Sequence, residues 1–231
     1  MTKKDTLAIN GGVPIRKTPF PAWPDYGEEE AAAAAEVIHS GKFARQSGSK
    51  VAEFERAYAD YFGVSYAIAV SNGTAAIHIA LSALGVGPGD DVINTSHCFI
   101  GTATPVVHAG AVPIFADINP RTFNIDPASI EEKITPYTKA IVPAHMNGLP
   151  ADMDPIMEIA EKHNLYVVED AAQAHGARYK GKLAGTIGTI GCFSFWEDKL
   201  MTTAGEGGMV IMDDEKLYQR AKMFHHHGEL K

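Results

Sequence analysis

Three short segments of the chain carry residue types that could do chemistry. The first, Ser71-Asn72-Gly73-Thr74, joins an apolar run at Tyr66 to Val70 to a helical stretch at Thr74 to Leu84. A glycine there lets backbone amides approach a ligand, and Thr74 offers a hydroxyl. The helix start adds unpaired N–H groups and a favourable dipole. A phosphate would sit at such a junction; the plain alternative is a strand-turn-helix link with Asn72 or Ser71 as N-cap. The second segment is VVEDAAQ, residues 167–173, in which Glu169 and Asp170 end an apolar run. In open α/β sheets ligands bind at that carboxyl edge. Strand alternation sends the two carboxylates to opposite sides, so Asp170 can face the crevice that holds the phosphate loop. Small residues after it admit a flat ligand, and Gln173 follows within a turn; the alternative is an aspartate that simply caps a helix. The third is FSFWEDKLMTTAGEGG, residues 193–208, where Lys199 follows Ser194 by five positions in a loop leaving an apolar strand. A lysine sheltered by backbone is suited to Schiff-base chemistry, although most lysines lie solvated on a surface.

The combination is more specific than any part. A phosphate cradle at Gly73 and Thr74, a carboxylate at Asp170, an aromatic at Phe99 after another strand, and a sheltered lysine are the parts needed to hold pyridoxal phosphate. They supply its phosphate anchor, pyridinium partner, stacking face and amine. Other patterns read as structure. Gly185, Gly188 and Gly191 in GTIGTIG do not form GxGxxG and join no first strand to its helix, so turn chemistry at a strand entry accounts for them. His225, His226 and His227 are consecutive, share no helix face, and read as a solvated helix end, not a metal site.

These segments need elements to position them. Helices are expected at Glu28 to Ser40, Lys50 to Phe62, Thr74 to Leu84, Ile100 to His108, Pro127 to Ile134, Asp152 to His163 and Glu215 to Phe224. Strands are expected at Tyr66 to Val70, Asp91 to Thr95, Val112 to Asp117, Ala140 to Ala144, Tyr166 to Glu169, Thr189 to Phe195 and Met209 to Met212. Several are apolar throughout, which implies burial on both faces. Repeated β–α alternation then gives an α/β fold with a mostly parallel sheet flanked by helices. Residues 1–27, punctuated by Gly11, Gly12, Pro14, Pro19, Pro21 and Pro24, read as an irregular arm before a domain at 28–231. The last helix runs out without a closing strand, and a further C-terminal portion is expected.

Composition excludes several classes. The 231 residues carry 20 Lys and Arg against 28 Asp and Glu, a net charge of −8, which argues against a nucleic-acid partner and for solubility. Cys98 and Cys192 are far apart and offer neither a disulfide framework nor a zinc cluster, which suits a reducing, cytoplasmic setting. The N-terminus lacks a signal-peptide pattern, and no run approaches the length of a membrane span.

With these residues in view, the sequence resembles the DegT/DnrJ/EryC1/StrS family of aminotransferases. The resemblance is carried by SNGTAAIHIALSALGVGPGDDVI, FADINPRTFNIDPASIEEKITPYTKAIVPAHMNGLPADMD, VVEDAAQAHGARYKGKLAG and FSFWEDKLMTTAGEGGMV, in that order, with LAINGGVPIR and VAEFERAYADYFGV before and between them. It implies the large, cofactor-binding domain of a fold type I, aspartate aminotransferase-like enzyme. It further implies transfer of an amino group, from glutamate or glutamine, to the ketone of a nucleotide-linked sugar, a cyclitol or a related ring. Carried over by residue, Lys199 becomes the Schiff-base lysine and proton shuttle, and Asp170 the partner of the pyridinium nitrogen. Gln173 would approach the ring oxygen, and Gly73, Thr74, the amide of Ala75 and Ser194 the phosphate. Phe99 would stack on the ring. His97 and Cys98 receive no role. A homodimer is implied for the full-length form, with an asparagine of the following smaller domain reaching the neighbour's cofactor. Three relatives of this reading remain beside it. Dehydratases of the family carry histidine in place of the lysine, against which Lys199 speaks directly. Synthases of aromatic amines combine amination with dehydration, and MNGLPADMD with KLMTTAGEGG resembles them. A non-catalytic regulatory or assembly subunit is the last, and the intact set of Lys199, Asp170, Gln173, Thr74 and Ser194 argues against it. Asn94 to Ser96 depart from the family's Val-Pro run before the stacking aromatic.

Overall fold

The computed structural model describes residues 6–229, so the first five residues of the expected arm and the last two of the chain lie outside the described residues. From residue 6 to Gly27 the chain is irregular apart from one 3-10 turn at Ala8–Asn10, as its prolines and glycines dictate. Helix α1 (Glu28–Ser40) and helix α2 (Lys50–Phe62) follow, each ended by a glycine in the left-handed region, Gly41 at φ 66° and Gly63 at φ 69°.

From there strand and helix alternate: β1 (Tyr66–Val70), α3 (Gly73–Ala83), β2 (Asp91–Thr95), α4 (Thr104–His108), β3 (Val112–Ala116), α5 (Pro127–Lys133), β4 (Thr138–Val142), α6 (Met153–His163) and β5 (Tyr166–Asp170). A small hairpin of β6 (Arg178–Tyr179) and β7 (Lys182–Leu183) precedes β8 (Ile190–Ser194), β9 (Gly208–Met212) and α7 (Glu215–His225). Seven strands form one sheet in the order β1-β9-β8-β5-β4-β2-β3. Neighbours from β8 through β3 pair in parallel, and β9 runs antiparallel between β8 and β1. Strands β8 and β9 are buried along their whole length, and β5 is buried over residues 167–169, because helices cover both faces.

One face is covered by α3, α4 and α7. Ile77, Leu81, Val106 and Ala221 pack there on Ile68, Val92, Val168 and Val210. Each fully buried aliphatic side chain contributes about 1.5–3 kcal/mol. On the other face α2 sets Tyr58 and Phe62 against Phe193 and Phe195, while α5 and α6 set Ile130, Met153 and Ile156 against Ile93, Ile141 and Val167. No helix among the described residues is long and apolar enough to cross a membrane.

Every expected strand is present, and the differences have local causes. Strand β4 is displaced from Ala140–Ala144 to Thr138–Val142, because Pro143 has no N–H to donate to the ladder. The helix expected over Ile100 to His108 is broken into a 3-10 turn at Ile100–Thr102 and α4, where Pro105 occupies the first turn of a new helix. The β6–β7 hairpin is an element that no strand expectation covers. Its two turn residues, Lys180 at φ 48° and Gly181 at φ 90°, both adopt the left-handed region that tight hairpins require.

Candidate active site

Because most strands run the same way, the carboxyl ends of β2, β4, β5 and β8 come to one edge. Two connections at that edge are decisive. The β1–α3 turn brings the helix start to it, and the long β8–β9 connection brings Lys199, since Ser194 and Val70 both pair with Gly208 at the beginning of β9.

A cleft of about 390 Å3 opens there. Of the residues singled out from sequence, Gly73, Thr74, Phe99, Asp170, Gln173, Ser194 and Lys199 all line it. Ala75 does not: its N–H donates to Asn72 Oδ1 at 2.8 Å, the side-chain cap of α3. Among the described residues the amides of Gly73 and Thr74 at the helix start have no backbone partner, and both residues line the cleft together with Ser194. Gly73 is required by packing, for a Cβ there would stand 2.8 Å from the Cβ of Ser194.

Asp170 is held on both oxygens. Thr102 Oγ1 donates to Oδ2 at 2.6 Å, and the Ala172 N–H donates to Oδ1 at 3.1 Å. Gln173 is anchored through its Oε1, which accepts the Asn147 N–H at 2.8 Å, so its amide N–H2 group remains for the cleft. Among the described residues the Lys199 ammonium has no hydrogen bond or ion pair, and Phe99 keeps 68% of its surface exposed. A cleft with unpaired helix-start amides, two hydroxyls, an oriented carboxylate, a loose aromatic and an unpartnered amine matches the phosphate, ring nitrogen, ring face and carbonyl carbon of pyridoxal phosphate.

The pleat separates Glu169 from Asp170 as alternation requires. Glu169 is wholly buried on the other face, where His145 and the N–H groups of Gly185, Ile187 and Gly188 surround its carboxylate. Burial alone would raise the Glu169 carboxyl. The hydrogen bond from His145 and those from the amides of Gly188 and Gly185 outweigh it and hold the carboxyl below the ordinary range. The GTIGTIG run is therefore more than a turn, since its amides form a carboxylate cradle.

Thr102, His145, Trp196 and Glu206 also line the cleft and were not singled out from sequence, nor was Cys98 given a role. His145 follows β4 by three residues, so the rule that ligands gather past strand carboxyl ends would have found it. Thr102 carries no such signal, because it reaches Asp170 only through the 3-10 turn after Phe99. His97 lies apart, with Nδ1 3.4 Å from the Phe123 carbonyl.

Comparison with known proteins bears on this cleft. GDP-perosamine synthase of Caulobacter vibrioides is 50% identical over 181 residues, which are 78% of this chain and 48% of that protein. The L-glutamine:2-deoxy-scyllo-inosose aminotransferase of Streptomyces fradiae is 42% identical over 221 residues, 94% of this chain and 52% of that protein. The crystal structure of an aminotransferase from Psychrobacter cryohalolentis superposes with a TM-score of 0.87 at 48% identity, covering 89% of this chain and 52% of that one. The chain thus spans about half the length of the curated relatives it matches. The model of the DegT/DnrJ/EryC1/StrS aminotransferase family matches residues 24–231, and the chain belongs to that family.

Proposed function

We propose that residues 28–231 form the cofactor-binding large domain of a pyridoxal phosphate-dependent aminotransferase. It moves an amino group from an amino acid, glutamate or glutamine, to the ketone of a nucleotide-linked sugar, a cyclitol or a related ring. The observation that carries this reading is the meeting of Lys199, Asp170, Ser194 and the start of α3 in one cleft. The acceptor and donor classes are supported by the names of relatives, one a GDP-sugar synthase and one a glutamine-dependent inosose aminotransferase.

Bound in the cleft, pyridoxal phosphate supplies a carbon that links to amines and a ring that takes up electrons. The rest is the work of this chain. The amides of Gly73 and Thr74, with the hydroxyls of Thr74 and Ser194, bind the phosphate at a positive helix end. Asp170, already oriented by Thr102 and Ala172, accepts a hydrogen bond from the ring nitrogen and keeps it protonated. Phe99 covers a ring face and excludes water, and the Gln173 amide donates to the ring oxygen. Lys199 Nζ would hold the cofactor to the protein and, as a free amine, would take up and return the proton at the substrate carbon.

The whole protein is read as a homodimer working in the cytoplasm. Phe99, Ile100 and Leu200 leave large apolar surfaces at and beside the cleft that a second copy would cover, and Cys98 and Cys192 are unpaired.

The test is to add pyridoxal phosphate, reduce with borohydride and locate the adduct by peptide mass spectrometry. A phosphopyridoxyl group is expected on Lys199 and none in Lys199→Ala. An adduct elsewhere, or none in the unaltered protein, overturns the reading. Amino transfer from glutamate and glutamine to keto sugars and cyclitol ketones then decides the substrates.

A further inference from the structure

Asn94 is a fully buried amide near the end of β2, and Thr102 a hydroxyl only 1% exposed in the turn after Phe99. An asparagine shut inside a parallel sheet costs free energy unless both ends of its amide find partners. Asn94 satisfies only one: Nδ2 donates to the Thr102 carbonyl at 3.0 Å, while Oδ1 has no partner among the described residues. A polar group retained at such a cost calls for a reason, and the reason lies at the far end of its hydrogen bond. Thr102 is tied three ways. Its N–H donates to the Phe99 carbonyl at 3.0 Å, its carbonyl accepts from Asn94, and its Oγ1 donates to Asp170 Oδ2 at 2.6 Å. Because the Ala172 N–H occupies Oδ1, the carboxylate has one internal donor on each oxygen and cannot rotate without breaking one of them.

We propose that Asn94 and Thr102 act in series as positioning residues for Asp170. Asn94 fixes the backbone of Thr102, and the Thr102 hydroxyl fixes the direction in which the Asp170 carboxylate faces the cleft. Valine at either position would fill the space and remove the bond, so the polar atoms are what the arrangement uses. The chemical consequence rests on the proposed cofactor reading, in which Asp170 meets the ring nitrogen; the positioning itself does not.

Two measurements separate these. Crystal structures of the cofactor-free Thr102→Val, Thr102→Ser and Asn94→Val proteins read the carboxylate directly. Thr102→Val should turn Asp170 or spread it over several orientations, Thr102→Ser should restore it, and Asn94→Val should displace the Thr102 carbonyl and loosen the carboxylate. With pyridoxal phosphate added, Thr102→Val should raise its dissociation constant roughly tenfold, the loss of one hydrogen bond to a charged group, and alter the absorption band of the bound cofactor. Thr102→Ser should return both to the wild-type values. An Asp170 carboxylate that keeps its orientation in Thr102→Val and Asn94→Val overturns the positioning, and unchanged cofactor affinity and absorption in both overturn its consequence for the cofactor. Absence of an adduct on Lys199 in the wild type would overturn the cofactor reading, and the crystal structures would still decide the positioning. Should Thr102→Val fail to fold, Asn94→Val, which removes an unsatisfied polar group from the core, carries the same measurements.

Discussion

Nε2 of His145 lies 2.9 Å from Oε2 of Glu169, and neither side chain has any solvent exposure. The ring's other nitrogen, Nδ1, accepts the Ala151 N–H at 3.0 Å, so the proton of the imidazole resides on Nε2 and is donated to the carboxylate. With three backbone amides, Glu169 has four donors and ties the end of β5 to the loop before β8 and to the loop after β4. Glu169→Gln would turn its own N–H2 toward some of these donors. The expected loss is about 3 kcal/mol in denaturant unfolding, more than an isolated neutral hydrogen bond contributes. A loss below about 1 kcal/mol would show that the cradle is not a structural anchor.

The closeness of Gly73 to Ser194 separates stability from ligand binding. A methyl group at position 73 would meet Ser194 Cβ at 2.8 Å, and neither β8 nor the helix start can move freely. Gly73→Ala should cost about 1–3 kcal/mol of stability and weaken the binding of pyridoxal phosphate, read by equilibrium dialysis. Asn72→Ala, which removes the cap at Ala75, should cost about 1 kcal/mol and leave the space between α3 and β8 open. If both variants bind the cofactor as the wild type does, the helix start is not its phosphate anchor.

Much of the arrangement was legible in the sequence because local patterns and function agree. Apolar runs such as Val167-Val168 announce buried strands, and the residues just past them, Asp170 and Ser194, sit where a parallel sheet exposes its ligand edge. What was hidden depends on pairs distant in sequence. Thr102 meets Asp170 across 68 positions, and nothing near either residue announces the contact. Pro143 and Pro105 moved element boundaries by denying a backbone donor, an effect visible in sequence once the register is known. The glycine run of residues 185–191 was read as a turn because its ligand, a buried carboxylate of its own chain, lies on another strand.

That run makes a strong prediction of its own. A Cβ on Gly191 would stand 2.1 Å from the Gly185 carbonyl oxygen, a contact with backbone that no rotamer relieves. Gly191→Ala should therefore cost more than about 3 kcal/mol and be recovered mostly as insoluble protein. A soluble Gly191→Ala protein with an unchanged melting temperature would mean that the loop before β8 is free to move away.

His175 gives the chain an acid sensitivity that can be measured separately from the carboxylates. Both ring nitrogens are buried without a partner among the described residues, and the ring packs 5.3 Å from Phe193 and 5.8 Å from Phe195. Burial first, then the nearby Lys199 cation, push the imidazole from the ordinary 6.5 down to about 4. The sign follows from proton binding. Between those values the unfolded chain takes up a proton that the folded chain refuses, so stability is complete above pH 6.5 and falls as the pH drops toward 4. From pH 7 to pH 4.5 this group alone should cost about 2 kcal/mol. His175→Leu should accordingly lose less stability over that interval than the wild type, with the gap visible in urea unfolding at the two pH values. Parallel losses in the two proteins would mean that the imidazole is charged in the folded state, and a buried anion or water facing His175 would then have to be sought between α2 and β8.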